Sequence, residues 1–188
     1  MLQEAHDMLR TVIAGLDESA WTSPTPCDQW NVAQVLRHAA GDQLAYTAAL
    51  TGHGGPAENP FTPSAGPPAG PRAFLESALT STAAAFAAVG PEVKELPSPL
   101  PLGPLPAEIV VGAAALDAAV HAWDIAVATG RPAPLTADLA GRLMPAATTI
   151  ADPLRGFAFA AAQPARPGDD AAARLLRYLG RDPRWARS

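Results

Sequence analysis

Asp117 and His121 stand four residues apart in LDAAVHAWDIAVATG, a stretch whose composition predicts a helix. Positions i and i+4 of a helix lie one above the other on the same face. A carboxylate and an imidazole at this spacing can share one divalent metal ion. A third ligand must come from another element, and His38, inside NVAQVLRHAAGDQ, is the candidate. Three protein ligands leave one coordination position open, which is the arrangement of a catalytic rather than a structural metal site. Two neutral imidazoles and a carboxylate suit Zn²⁺ first, and also Ni²⁺, Fe²⁺, Co²⁺ or Mn²⁺. Taken singly, each signal has a plainer meaning: a histidine satisfied within a core, or an ordinary contact along a helix. Their conjunction on two helices expected to face each other points to the metal.

Asp42 follows His38 by one helical turn. It could be a fourth ligand, a partner fixing an imidazole tautomer, a general base, or simply a solvated helix residue; we take it as the candidate catalytic residue. Asp124 is rotated away from the Asp117–His121 face, so it reads as a supporting or salt-bridging residue rather than a ligand. Trp123 reads as core. Cys27 precedes the His38 helix, and from Asn31 to His38 is already about 10 Å at 1.5 Å per residue. It therefore reads as a buried structural thiol rather than a nucleophile. His6 and His53 have no partners at ligand spacing. Arg37 or Arg131 could bind a substrate carboxylate, and nothing in the spacing favours either. There is no phosphate-cradling glycine motif, nucleophile elbow or CxxC pair, so nucleotide-dependent and triad-hydrolase chemistry have no residues to stand on.

The elements that must position these side chains can be read from periodicity. Leu2, Ala5, Leu9, Val12, Ile13 and Leu16 recur with a helical period over residues 2–18. TSPTPCDQW is a loop, broken by Pro24 and Pro26. Asn31 is an N-cap for a second helix running to about Leu50. Residues 52–71, rich in Gly and Pro, form a long surface connection, and connections of that length are often lids or binding loops. A third helix covers about 72–89. LPSPLPLGPLP, residues 96–106, reads as a stiff linker, or alternatively as a lid or peptide-binding segment. A fourth helix runs from about Pro106 to Thr129 and stops at Gly130. A fifth covers about 136–150, residues 157–164 read as a short strand or extended segment, and a last helix covers about 169–180. Helical bundles build metal sites from side chains on facing helices.

Composition agrees with an all-α fold. Of 188 residues, 48% are apolar, 6% aromatic and 16% charged, and the alanine that dominates the apolar set is the best helix former. A net charge of −5 without a basic run argues against a nucleic-acid partner. The single cysteine excludes an internal disulfide. No signal peptide and no membrane-spanning run is apparent, so a cytoplasmic protein is expected. The alanine-rich helix faces would permit a homodimer without demanding one.

PTPCDQWNVAQVLRHAAG resembles the PTPC-x-x-W-x-V-x-x-L-x-x-H signature of the DinB/YfiT-like superfamily. It is most similar to the actinobacterial branch that includes the N-terminal domains of mycothiol-dependent maleylpyruvate isomerases. VHAWDIAVATGRP resembles that branch's V-H-x-W-D-L-A-x-A-T-G segment, and ARLLRYLGRDPRW resembles the L-L-x-x-L-G-R-D-P close of its short members. The resemblance implies a DinB-like four-helix bundle with additional short C-terminal helices, and one metal-binding domain over residues 1–188. Its ligand triad carries over onto His38, Asp117 and His121, with Asp in place of the isomerases' Glu. Asp42 and Gln43 stand where the branch has Gly and Asn. The isomerases carry a second domain that this sequence lacks, so maleylpyruvate isomerisation itself is not expected.

The function these residues lead us to expect is metal-dependent S-transfer or thiol-assisted isomerisation of a small electrophile, with mycothiol as the thiol cosubstrate. Two alternatives stand beside it. One is a thiol-independent metalloenzyme of a secondary-metabolite pathway, a cyclase, isomerase or hydrolase. The other is a non-catalytic metal-binding stress-response module.

Overall fold

A computed structural model describes residues 1–187. Four helices form the bundle: α1 (Leu2–Ala14), α2 (Val32–Thr51), α3 (Pro71–Ala87) and α4 (Ala107–Ala128). Around the bundle the order is α1, α4, α2, α3, each packed on the next. Two shorter helices follow: α5 (Ala137–Ile150) packs on α4, and α6 (Ala171–Tyr178) packs on α5. The fold is therefore all-α and DinB-like, as the sequence led us to expect.

The start of α2 shows how local chemistry sets an element. The Asn31 side chain accepts from the Gln34 amide at 2.9 Å, and Gln34 Oε1 accepts from the Asn31 amide at 3.1 Å. This reciprocal capping box satisfies two amides that no helical carbonyl can reach. Gly52, at φ 81°, closes the helix in the left-handed region that favours glycine.

α4 is buried on every side because small residues line it. In AEIVVGAAALDAAVHAWDIAVA, alanines and Gly112 let α1, α2 and α5 approach together. A Cβ on Gly112 would lie 2.8 Å from Ala146 Cβ on α5. By length and composition α4 is the one described helix apolar enough to cross a membrane, but 83% of its apolar window is buried inside the bundle. Its apolarity is spent on the core. Gln43 pins three helices around it: Nε2 donates to the Ala114 carbonyl at 2.9 Å, and Oε1 lies 2.9 Å from His6 Nε2. His6 is thus a core histidine held through Nε2 alone, its buried Nδ1 having no hydrogen-bond partner among the described residues, and burial holds its pKa below the ordinary value.

Several boundaries differ from expectation. α1 ends at Ala14 rather than residue 18, because Asp17 caps a separate 3₁₀ turn over Glu18–Thr22 by accepting from the Ala20 amide. The segment 96–106 is not a plain linker. Glu95–Leu96 (β1) pairs antiparallel with Leu105–Pro106 (β2), so the prolines between them bend the chain back on itself. Residues 157–164 form no strand: Phe157 and Ala158 are a turn, Phe159 makes an isolated bridge with Arg155, and the rest is irregular; Gln163 is held by the Arg177 carbonyl and by its own bond to the Gly180 carbonyl.

Candidate metal centre and its pocket

His38 lies in the middle of α2, and Asp117 and His121 lie in the middle of α4, where the two helices pack. The donor atoms of the three residues all fall within 4.8 Å of one another. His38 Nε2 lies 3.4 Å from Asp117 Oδ1, and His121 Nε2 lies 3.3 Å from the same oxygen. The two imidazoles meet edge to face, with ring centres 4.7 Å apart. The expected juxtaposition is therefore present in the fold.

Each imidazole is held by its other nitrogen. His38 Nδ1 is 2.8 Å from the Pro60 carbonyl, which fixes Nδ1 as the protonated nitrogen. His121 Nδ1 is 2.9 Å from Asp124 Oδ2. Partners of this kind set the tautomer and aim Nε2 as a lone-pair donor. Asp42 does not fill that role, although its position one turn from His38 allowed it. A backbone carbonyl from the long 52–70 connection does so instead. That connection folds over α2: Gln34 donates to the Pro63 carbonyl, Arg37 to the Gly66 carbonyl and to Glu58, and Asn31 to the Ala65 carbonyl. Gly41 makes the approach possible, because a Cβ there would lie only 3.1 Å from Pro60 Cγ.

The donor set fits a divalent cation on a second ground. Asp117 Oδ2 is buried and has no hydrogen-bond partner, which is costly for a carboxylate oxygen unless a cation completes it. The His38 and His121 imidazoles approach the other oxygen, Oδ1, and leave Oδ2 free. Burial opposes ionisation of Asp117, but the neighbouring His121 and His38 imidazoles hold its carboxyl well below the usual range. Burial likewise opposes charge on His121, and the carboxylates of Asp117 and Asp124 outweigh it, raising its pKa well above the ordinary value. Asp42 shows the opposite behaviour. Burial first, and then the charge of Asp117, push its carboxyl well above the usual range. Asp42 thus faces the pocket with its protonated form favoured beyond that of an exposed carboxyl.

A second group of donor atoms, Cys27, His121 and Asp124, also lies within 4.8 Å. Here a cation is already supplied by the protein. Arg181, just beyond α6, donates from Nε to Asp124 Oδ1 at 2.9 Å and from Nη2 to Asp124 Oδ2 at 2.8 Å. Nη2 also reaches Cys27 Sγ at 3.4 Å, and Sγ lies 3.3 Å from Asp124 Oδ2. Cys27 therefore belongs to the site's surroundings, contrary to the distance argument from the sequence. The TPCDQW loop does not extend away from α2; Thr25 Oγ1 donates to the Trp30 carbonyl and accepts from the Cys27 amide, folding the loop back. Cys27 sits on the Nδ1 side of His121, away from the Nε2 that faces Asp117. Arg181 was missed in the sequence because no spacing rule connects it to His121. Arg37 and Arg131 are engaged elsewhere, Arg37 on the 52–70 connection and Arg131 on the Gly15 carbonyl. His53 is exposed and joins neither group.

These residues open into one pocket of about 790 Å³. Trp30 packs on His38 at 4.6 Å between ring centres, Phe61 on His38 at 5.6 Å, and Phe157 on Phe61 at 4.9 Å. The pocket is thus apolar at its walls and polar at its floor.

Residues 2–126 match the mycothiol maleylpyruvate isomerase N-terminal domain family. Uncharacterized proteins of Mycobacterium tuberculosis, one from strain CDC 1551 and one from strain H37Rv, are each 30% identical over 193 residues, covering 97% of this chain and 96% of the relative. No solved structure matches significantly. The chain belongs to the mycothiol maleylpyruvate isomerase N-terminal domain family, a mycothiol-related group of metal-binding, DinB-like domains.

Proposed function

We propose that this family member is a divalent-metal-dependent enzyme that uses a low-molecular-weight thiol, mycothiol, for S-transfer to or thiol-assisted isomerisation of a small electrophile. One observation carries the proposal. Two imidazole Nε2 atoms each lie within 3.4 Å of one carboxylate oxygen, while each Nδ1 is separately held by an acceptor. His38, Asp117 and His121 would hold the ion, with Zn²⁺ first among the candidates.

A divalent ion with an open position supplies a Lewis acid that stabilises a thiol as its nucleophilic thiolate. The chain's own residues do the rest. Pro60 and Asp124 lock the two imidazole tautomers. Arg181 balances the charge of Asp124, so that the carboxylate can sit fully buried behind His121. Asp42, which lines the pocket and whose burial favours its protonated form, would deliver a proton to an atom of the electrophile that gains electrons as the carbon–sulfur bond forms. Trp30 and Phe61, packed on His38, would keep water from the bound sulfur. Arg181 lies outside the matched residues 2–126 and still builds the site, which supports treating the whole chain as one functional domain.

The test uses the Co²⁺-substituted protein. Adding mycothiol is expected to produce sulfur-to-cobalt charge-transfer absorption, and the loaded enzyme is expected to consume electrophiles only when the thiol is present. Turnover of another substrate that ignores the thiol would instead favour the thiol-independent metalloenzyme. Metal without any turnover would favour the non-catalytic module.

A further inference from the structure

We infer that the electrophile taken by this pocket is an uncharged, flat, unsaturated molecule, and that carboxylate substrates are rejected. The inference deepens the proposed function, and rests on it only for the identity of the pocket as the reaction site.

The charge of the walls is the first ground. Asp28, Asp117 and Asp182 line the pocket as carboxylates, beside the buried carboxyl group of Asp42. Among the described residues Arg181 is the sole lining Arg or Lys, and its fork is already spent on Asp124. Carboxylates are normally recognised by a free guanidinium fork or by unpaired amide donors. No such fork is on offer here. A divalent ion would not reverse the balance, because its two charges would face the carboxylates of Asp117, Asp28 and Asp182. Asp28, exposed at the mouth, then repels an anion, and Asp182 adds less because Arg177 Nη2 lies 3.9 Å and Arg184 Nε 3.8 Å from it.

The aromatic mouth is the second ground. Phe157 is 63% exposed. It comes from the connection after α5, and its ring stacks on Phe61, which comes from the connection after α2. Neither ring is needed to fill the core. Two rings from separate loops, stacked at 4.9 Å and tilted by 38°, form one wall with Trp30 behind. Such a wall gains most from a flat apolar ligand, through stacking and through burial of the exposed ring face. The cavity of about 790 Å³ leaves room for a thiol and a second molecule together.

The experiment compares matched probes by calorimetry and ligand-observed NMR on both metal-free and metal-loaded protein, without thiol. Cinnamamide and cinnamate share one flat skeleton and differ in charge; crotonamide lacks the ring. Cinnamamide is expected to bind at least about tenfold tighter than either. Phe157→Ala, at an exposed position that leaves metal content unchanged, is expected to weaken cinnamamide at least about fivefold. Asp28→Asn with Asp182→Asn is expected to narrow the amide preference at least about threefold. Equal or tighter binding of cinnamate, or no effect of Phe157→Ala, would overturn the inference. Metal content is measured on the same samples. An amide preference in a protein that takes up no metal would overturn the proposed function and leave this inference standing.

Discussion

Arg181 and Asp124 are joined at two points, Nε to Oδ1 at 2.9 Å and Nη2 to Oδ2 at 2.8 Å, and Asp124 Oδ2 also bonds His121 Nδ1 at 2.9 Å. A residue after the last helix thus reaches, through one carboxylate, an imidazole in the centre of α4. Asp124 is fully buried, so its charge depends on that guanidinium. The pair ties the C-terminal segment to the site that the bundle builds.

Breaking the pair should therefore act on both stability and metal binding. Arg181→Ala leaves a buried carboxylate with only His121 and the Cys27 thiol for company, and a cost of about 3–5 kcal/mol is expected by chemical denaturation. Asp124→Asn removes the acceptor that orders His121 and should weaken metal affinity by about 10–100-fold in a competition titration with a chelator. Unchanged affinity in Asp124→Asn would remove Asp124 from the role assigned to it.

The metal-free protein should lose stability as pH rises. His121 is raised above 6.5 in the folded state, so its contribution is complete below that value and is lost as pH climbs through the folded one. Asp42 is raised above 3.8, so the folded state also binds its proton more tightly, and stability falls in the same direction. Asp117 and Asp124 are lowered below 3.8; their contribution is present above 3.8 and is lost only in acid. From about pH 6 to about 9, Tm of chelator-treated protein is expected to fall, less so in Asp42→Asn. Zn²⁺ should reduce the fall by the share that His121 contributes, because the ion replaces the proton on His121. A flat or rising Tm in the chelated protein would count against these assignments.

Gly41→Ala tests the loop that holds His38. The new Cβ meets Pro60 at 3.1 Å, so the connection must shift by a few tenths of an ångström and loosen the carbonyl from His38 Nδ1. A stability cost of about 1–3 kcal/mol is expected, together with weaker metal binding. Weaker metal binding without destabilisation would place the effect on His38 alone; neither change would mean that the Pro60 contact does not order His38.

Cys27 is expected not to ligate the ion. Its sulfur lies against Asp124 and Arg181, behind His121 Nδ1. Co²⁺-loaded protein without added thiol should therefore lack sulfur-to-cobalt charge transfer, and Cys27→Ser should keep full metal stoichiometry. A charge-transfer band that vanishes in Cys27→Ser would make Cys27 a ligand.

The helix positions of His38, Asp117 and His121 were legible because i,i+4 spacing and apolar periodicity fix which residues share a face. Asn31 was legible as a cap because its chemistry is local. The surroundings of the site were not. Pro60 contributes only a carbonyl, which any residue could offer, and its approach depends on the missing Cβ of Gly41, on a different element. Arg181 meets Asp124 across 57 residues, a separation at which sequence spacing carries no signal. Cys27 was misplaced because chain distance was measured along a straight helix, whereas Thr25 folds the preceding loop back.

The most direct measurement is elemental analysis of the purified, untagged protein beside His121→Ala. About one divalent ion per chain, lost in the variant while its helical circular dichroism persists, is the expected result. A wild-type protein that takes up no ion, even after reconstitution with Zn²⁺, Ni²⁺ or Fe²⁺, would contradict the assignment of His38, Asp117 and His121 as a metal centre.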